Sequence, residues 1–132
     1  MTSGLYTGLE FIFSDFNVSE NVKLKGIKGL ISHYKGIHLK YGVEFEVPIG
    51  AINETAGFLT YQGHDDMAIE LLEYGVALYP NSGVLYGSLA EIYESRSNDD
   101  LAKYYYHKAR EVSADNLHAY LKYDVLYRAL SN

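Results

Sequence analysis

The chain of 132 residues has no cysteine, no tryptophan and only two prolines. Without cysteine there is no disulfide, no thiol nucleophile and no Cys-ligated zinc, although the compartment stays open, because oxidising compartments also hold cysteine-free proteins. Two prolines alongside 48% hydrophobic residues exclude a disordered tail. Positive charge is scarce too: 11 lysines and arginines face 17 acids, for a net charge of −6. A nucleic-acid partner is thereby disfavoured, since neutralising phosphates takes a Lys/Arg surface. No apolar run approaches the roughly 20 residues needed to span a bilayer, and the opening residues carry no signal-peptide pattern. Gly-x-Ser-x-Gly, P-loop and Gly-x-Gly-x-x-Gly motifs are missing, so hydrolase nucleophiles, phosphate cradles and cofactors have no candidate residues. The five histidines, His33, His38, His64, His107 and His118, form neither an HxxxH nor an HExxH pair and read as structural or surface groups, not metal ligands.

What the chain does have is an internal repeat. Residues 49–82 and 83–116 are two copies of one 34-residue pattern. In the second copy Tyr86, Leu89, Ala90 and Tyr93 share one helical face, and after a polar turn Ala102, Tyr106 and Ala109 share the next. The first copy places Ile52, Thr55, Ala56 and Leu59, then Ala68, Leu72 and Gly75, at the equivalent positions, and Pro80 closes it. Small residues at 56/90, 68/102 and 75/109 allow two helices to approach closely while the bulky ones fill the remaining space. The expected helices are 49–62, 64–79, 82–95, 98–113 and 115–130. Gly63, Pro80 and Asn98 mark breaks, and Asp65, Asp66, Asp99 and Asp100 put negative charge at helix N-termini, where the macrodipole favours it over any acid/base role. The period and the large–small–large order resemble the tetratricopeptide repeat (TPR). The expected fold class is accordingly all-α: a TPR-like solenoid of helical hairpins, with an N-terminal helical arm and connector over 1–48 and a C-terminal capping helix.

Within that arm, Leu5, Leu9 and Ile12 share a helical face, with Phe11 and Phe13 off it. Asn17 and Glu20 can cap a second helix running to about Tyr41, whose buried face would be Leu24, Ile27, Ile31, Tyr34 and His38, with Gly42 at its C-terminus. Val43, Phe45 and Val47 alternate with Glu44 and Glu46 in a short extended connector. The triplets Asn17-Val18-Ser19 and Asn53-Glu54-Thr55 read as helix-start chemistry, not as glycosylation sites. The last helix is apolar around nearly its whole circumference, whereas a terminal repeat element should present a polar outer face. Leu117, Leu121 and Val125 are its candidate self-association residues, covered by a second copy of the chain or else by the N-terminal arm folding back. Fourteen tyrosines are present; about half fill repeat positions such as 86, 93 and 106, and others, including Tyr61, Tyr74, Tyr104 and Tyr123, could enrich an interface.

The TPR resemblance implies a protein partner, possible peptide binding included, in a groove lined by the first helix of each pair: Asn53, Gly57 and Tyr61, then Gly87, Glu91 and Glu94. A clamp for a terminal carboxylate needs Lys, Arg and Asn together; glutamates stand here instead, so a basic peptide would suit better. A second resemblance covers the whole chain. Leu5–Phe13 (LYTGLEFIF), Lys40-Tyr41-Gly42, Ile52-Asn53 and Tyr79-Pro80-Asn81-Ser82, in that order, are similar to the C-terminal region of bacterial esterases of the enterochelin-esterase-like α/β-hydrolase group. That likeness implies a non-catalytic appendage following a hydrolase domain, with no catalytic Ser, Asp or His motif in this chain. Three readings result: an interaction or oligomerisation domain of such an enzyme, a stand-alone adaptor binding a peptide, and a small enzyme built on Tyr104, His107 and Glu111, which share one helical face with Lys108.

Overall fold

The computed structural model describes residues 18–42 and 46–131, all of whose regular structure is helical. The helix expected over Leu5–Phe13, the Asn17 cap and the alternation of Val43 with Phe45 lie outside the described residues. Among the described residues seven helices occur in order: α1 Glu20–Lys23, α2 Gly26–Tyr41, α3 Ile49–Tyr61, α4 Asp65–Leu78, α5 Gly83–Ser95, α6 Asp99–Val112 and α7 Leu117–Ser131. Each packs on the next from α1 to α7; in addition α1 packs on α3, α2 on α4, and α3 on α5.

The region expected as one helix from residue 17 to Tyr41 is two. Ser19 is the N-cap of α1, its hydroxyl accepting from the Val22 amide at 3.3 Å. The chain then turns at Leu24–Lys25, and Gly26 takes the left-handed conformation at φ 65°. This break changes the phase of α2. Leu30, Tyr34 and Ile37 are buried, while Leu24 and Ile31 are exposed, so the inner face of α2 is not the 24–27–31–34–38 face read from spacing. Gly42, at φ 70°, ends α2 with its N–H on the His38 carbonyl at 2.8 Å, as its position in the sequence suggested. The connector is held by Val47, which is buried and whose carbonyl accepts from the Tyr79 hydroxyl at 2.8 Å. Asn53 is not a helix start: Pro48 precedes α3, and Asn53 lies in its second turn, accepting from the Ser88 hydroxyl on α5.

From α3 onward the 34-residue frame is realised in the backbone. Asp65, Asp66, Asp99 and Asp100 occupy the first turns of α4 and α6. The α3–α4 and α5–α6 turns use the same hydrogen bonds. The His64 amide reaches the Leu59 carbonyl at 2.8 Å and the Asn98 amide the Tyr93 carbonyl at 2.9 Å, while the Gly63 and Ser97 amides reach Thr60 and Glu94 at 3.0 Å. Gly63 and Ser97 are both left-handed, at φ 84° and 61°. A Cβ at Gly63 would meet nothing within 4 Å, so the cost there is conformational alone. Gly63→Ala should therefore destabilise by about 1 kcal/mol and Ser97→Gly should stabilise by up to about 1 kcal/mol, read from urea midpoints with an unchanged slope.

The core has two joined parts. Leu30, Tyr34, Ile52, Leu59, Leu72, Leu85 and Leu89 belong to the larger, between α2 and α5. Ala90, Ala102, Tyr106, Ala109 and Tyr123 form the smaller, between α5 and α7. Tyr93 and Tyr105 pack against both, their rings parallel at 5.7 Å between centroids. The small positions do what their size suggests: at Gly75 a Cβ would come within 2.9 Å of Ile52 and 3.0 Å of Leu85, so α4 can pass this close to α3 and α5 only without a side chain there.

Candidate interaction site

Two surfaces collect the residues singled out from sequence. The first is a groove of about 300 Å³ between α3 and α5, whose lining includes Asn53, Gly57, Thr60, Ser88, Glu91 and Ser95. Of the six expected groove residues, Asn53, Gly57 and Glu91 come together here. Tyr61 is 87% exposed at the end of α3 and is not part of the lining. Gly87 is buried because the Tyr123 ring of α7 lies against it, 2.6 Å from where a Cβ would stand. Glu94 accepts the Tyr106 hydroxyl at 2.9 Å, which ties α5 to α6. Sequence reasoning passed over Thr60, Ser88 and Ser95. Thr60 and Ser95 turn their hydroxyls back onto the Ala56 and Ile92 carbonyls at 2.9 and 2.7 Å, so the groove offers few free donors.

The second surface is α7. Ala119, Tyr123, Leu126, Tyr127 and Leu130 pack inward against the smaller core. One ion-paired centre fastens the helix: Arg110 donates to Asp124 at 2.7 Å, Arg128 donates to the other Asp124 oxygen at 2.9 Å, and the Arg110 guanidinium lies 4.4 Å from the centre of the Tyr127 ring. The hydrogen bond from Arg110 holds the Asp124 carboxyl below the usual carboxylate range, against the opposing effect of desolvation and with help from Arg128. With the inner side so anchored, Leu117, Leu121 and Val125, spaced four apart on the outer side, are 70%, 50% and 65% exposed. They form one apolar strip along the helix.

The residues of the enzyme reading are engaged with their neighbours on α6. His107 Nε2 is 2.8 Å from Glu111, its Nδ1 is 2.9 Å from Arg110, and Lys108 lies over the Tyr104 ring. Among the described residues no group of three His, Asp or Glu side chains is placed to hold a metal ion, and no helix is long and apolar enough to cross a membrane. In comparison with known proteins, no family model, no curated protein and no solved structure matches this chain.

Proposed function

We propose that the chain is a non-catalytic, TPR-like helical domain that works by binding protein through the outer strip of α7, most simply another copy of itself. The observation that carries this is the exposure of Leu117, Leu121 and Val125 on a helix whose opposite side is already packed. Burying such side chains is worth about 1.5–3 kcal/mol each when complete, and a twofold pairing of α7 with its counterpart would bury the set twice. Support for the TPR-like architecture comes from the repeated turn hydrogen bonds and from the packing of α3 on both α4 and α5. Within the resemblance to esterase-like hydrolases, the same strip would bring copies of such an enzyme together.

The test is mass by light scattering at high protein concentration and about 1 M salt, where exposed charge–charge contacts are screened to about 3 Å. The chain is expected as a dimer. Leu121→Glu or Val125→Glu, which would place a carboxylate in the interface, should give a monomer of unchanged helicity. A wild-type chain that is monomeric under these conditions removes the self-association.

A further inference from the structure

Helix α7 keeps the period of the two repeats before it. Helices α3, α5 and α7 begin 34 residues apart, at Ile49, Gly83 and Leu117. Leu117, Leu121 and Val125 therefore stand where α5 has Gly83, Gly87 and Glu91, and where α3 has Ile49, Asn53 and Gly57. On α3 and α5 this side receives the first helix of the following pair. Asn53 of α3 accepts from Ser88 of α5. Gly83 and Gly87 of α5 meet the Tyr123 ring of α7, 3.5 and 2.6 Å from where a Cβ would stand. The α7 strip is thus the open end of the stack, and it is built differently from the joints before it. Glycine at 83 and 87 lets α7 come close, whereas leucine at 117 and 121 holds any further helix out. The other end is closed, because α1 and α2 pack on α3. A head-to-tail series, each copy continuing the repeat of the last, has neither a free surface at the first end nor a close seat at the second.

We infer that α7 closes the stack by pairing antiparallel with α7 of a second copy, with Leu121 on the twofold axis. This rests on the reading of α7 as the self-association surface. A twofold contact uses one surface twice, and the strip is such a surface. Residues four apart form a row inclined to the helix axis, and two such rows lie along one another when the helices cross at about −50°. Leu121 then meets Leu121, and Leu117 of each copy meets Val125 of the other. Charge selects the direction. Arg128 lies two turns beyond Leu121 on the same face, its side chain 74% exposed. A parallel pairing would set the two Arg128 side chains against each other at one height. The antiparallel pairing carries Arg128, seven residues after Leu121, to the start of the other helix, where Asp115 stands six residues before Leu121. Asp115 is exposed and makes no ion pair among the described residues. Each Arg128 thereby gains a carboxylate, twice in the dimer, and the two helix dipoles run in opposite directions.

The chain has no cysteine, so an introduced thiol is the only one present. A disulfide needs Cα atoms within about 7 Å. In the antiparallel pairing, position 121 meets its own counterpart and position 117 meets 125. Like positions at 117, or at 125, stand about 12 Å apart along the helices. The experiment follows oxidation on non-reducing gels, with the mass of the reduced chains measured by light scattering at the same concentration. Leu121→Cys should link into a covalent dimer, and so should a mixture of Leu117→Cys and Val125→Cys chains. Each should link at least about tenfold faster than Leu117→Cys or Val125→Cys alone. Linking of these last two chains each with itself, at the rate of Leu121→Cys, overturns the antiparallel direction while α7 remains the self-association surface. Equal slow rates in all four samples mean chance collision and overturn the pairing; a reduced chain that is still a dimer then has its interface away from α7. A reduced wild-type chain that scatters as a monomer removes the self-association itself.

Discussion

Leu72→Ala should lower the unfolding free energy by about 2–5 kcal/mol. Leu72 has no exposed surface and sits in the larger core, within the repeat that joins α2 to α5. Truncation removes three carbons and leaves a hole bounded by helices that are each fixed by a second neighbour: α3 by α5, and α4 by α2. Collapse into the hole is therefore resisted, which puts the cost in the upper part of the range. For a chain of this size the melting temperature should fall by roughly 10–20 °C. The equivalent position in the second repeat is Tyr106, and it supplies a contrast. Tyr106→Phe keeps the volume and gives up only the hydroxyl bond to Glu94, so about 1 kcal/mol is expected. Parallel urea titrations of the two variants check both. A loss below about 1 kcal/mol for Leu72→Ala would mean that α4 is not clamped as described.

The contrast between these positions was visible in the sequence, and so was most of the fold from Ile49 onward. The small residues Ala56, Ala68, Gly75, Ala90, Ala102 and Ala109 are all buried, and their positions came from the period because a close helix approach leaves no alternative to a small side chain. Helix α2 was less legible. Two candidate faces, 27–31–34–38 and 30–34–37–41, share Tyr34 and carry similar apolar content, so spacing cannot rank them. The choice is made by Gly26 and Gly29: the left-handed turn at Gly26 takes Leu24 out of the helix, and a Cβ at Gly29 would strike the α1 backbone and Lys25. Only three of the six groove candidates come together, for a related reason. Asn53, Gly57 and Glu91 depend only on helix phase. Gly87 and Glu94 depend on which distant side chain reaches them, Tyr123 in one case and Tyr106 in the other, and nothing local announces either.

The chain should unfold steeply in alkali, at a pH where ordinary surface-tyrosine proteins remain folded. Burial raises the hydroxyl pKa of Tyr34, Tyr74, Tyr79, Tyr93, Tyr105, Tyr106 and Tyr123, and neighbouring acids push in the same direction, Glu54 at Tyr34, Glu46 at Tyr74 and Tyr79, Glu73 at Tyr93 and Tyr105, and Glu91 at Tyr106 and Tyr123. The shift at Tyr106 is large, because its hydroxyl is desolvated and also donates to Glu94. A tyrosine whose pKa is higher folded than unfolded holds its proton more tightly in the native state. Its stabilising contribution is complete below the unfolded value of about 10 and is lost as the pH rises through the folded value. Each such group that is protonated when folded and ionised when unfolded adds a slope of about 1.4 kcal/mol per pH unit. Seven such groups acting together make the stability fall steeply as the pH rises above 10. The measurement is paired: tyrosinate absorbance and far-ultraviolet ellipticity followed through the same alkaline titration. The seven tyrosines with raised values should ionise in one cooperative step coincident with loss of helix. Tyr106→Phe should move that step to higher pH relative to its own starting stability, because the group with the largest shift no longer titrates. Smooth ionisation of all tyrosines with helicity retained would show that the two core clusters admit solvent, and would contradict the packing of Tyr93 and Tyr105 across them.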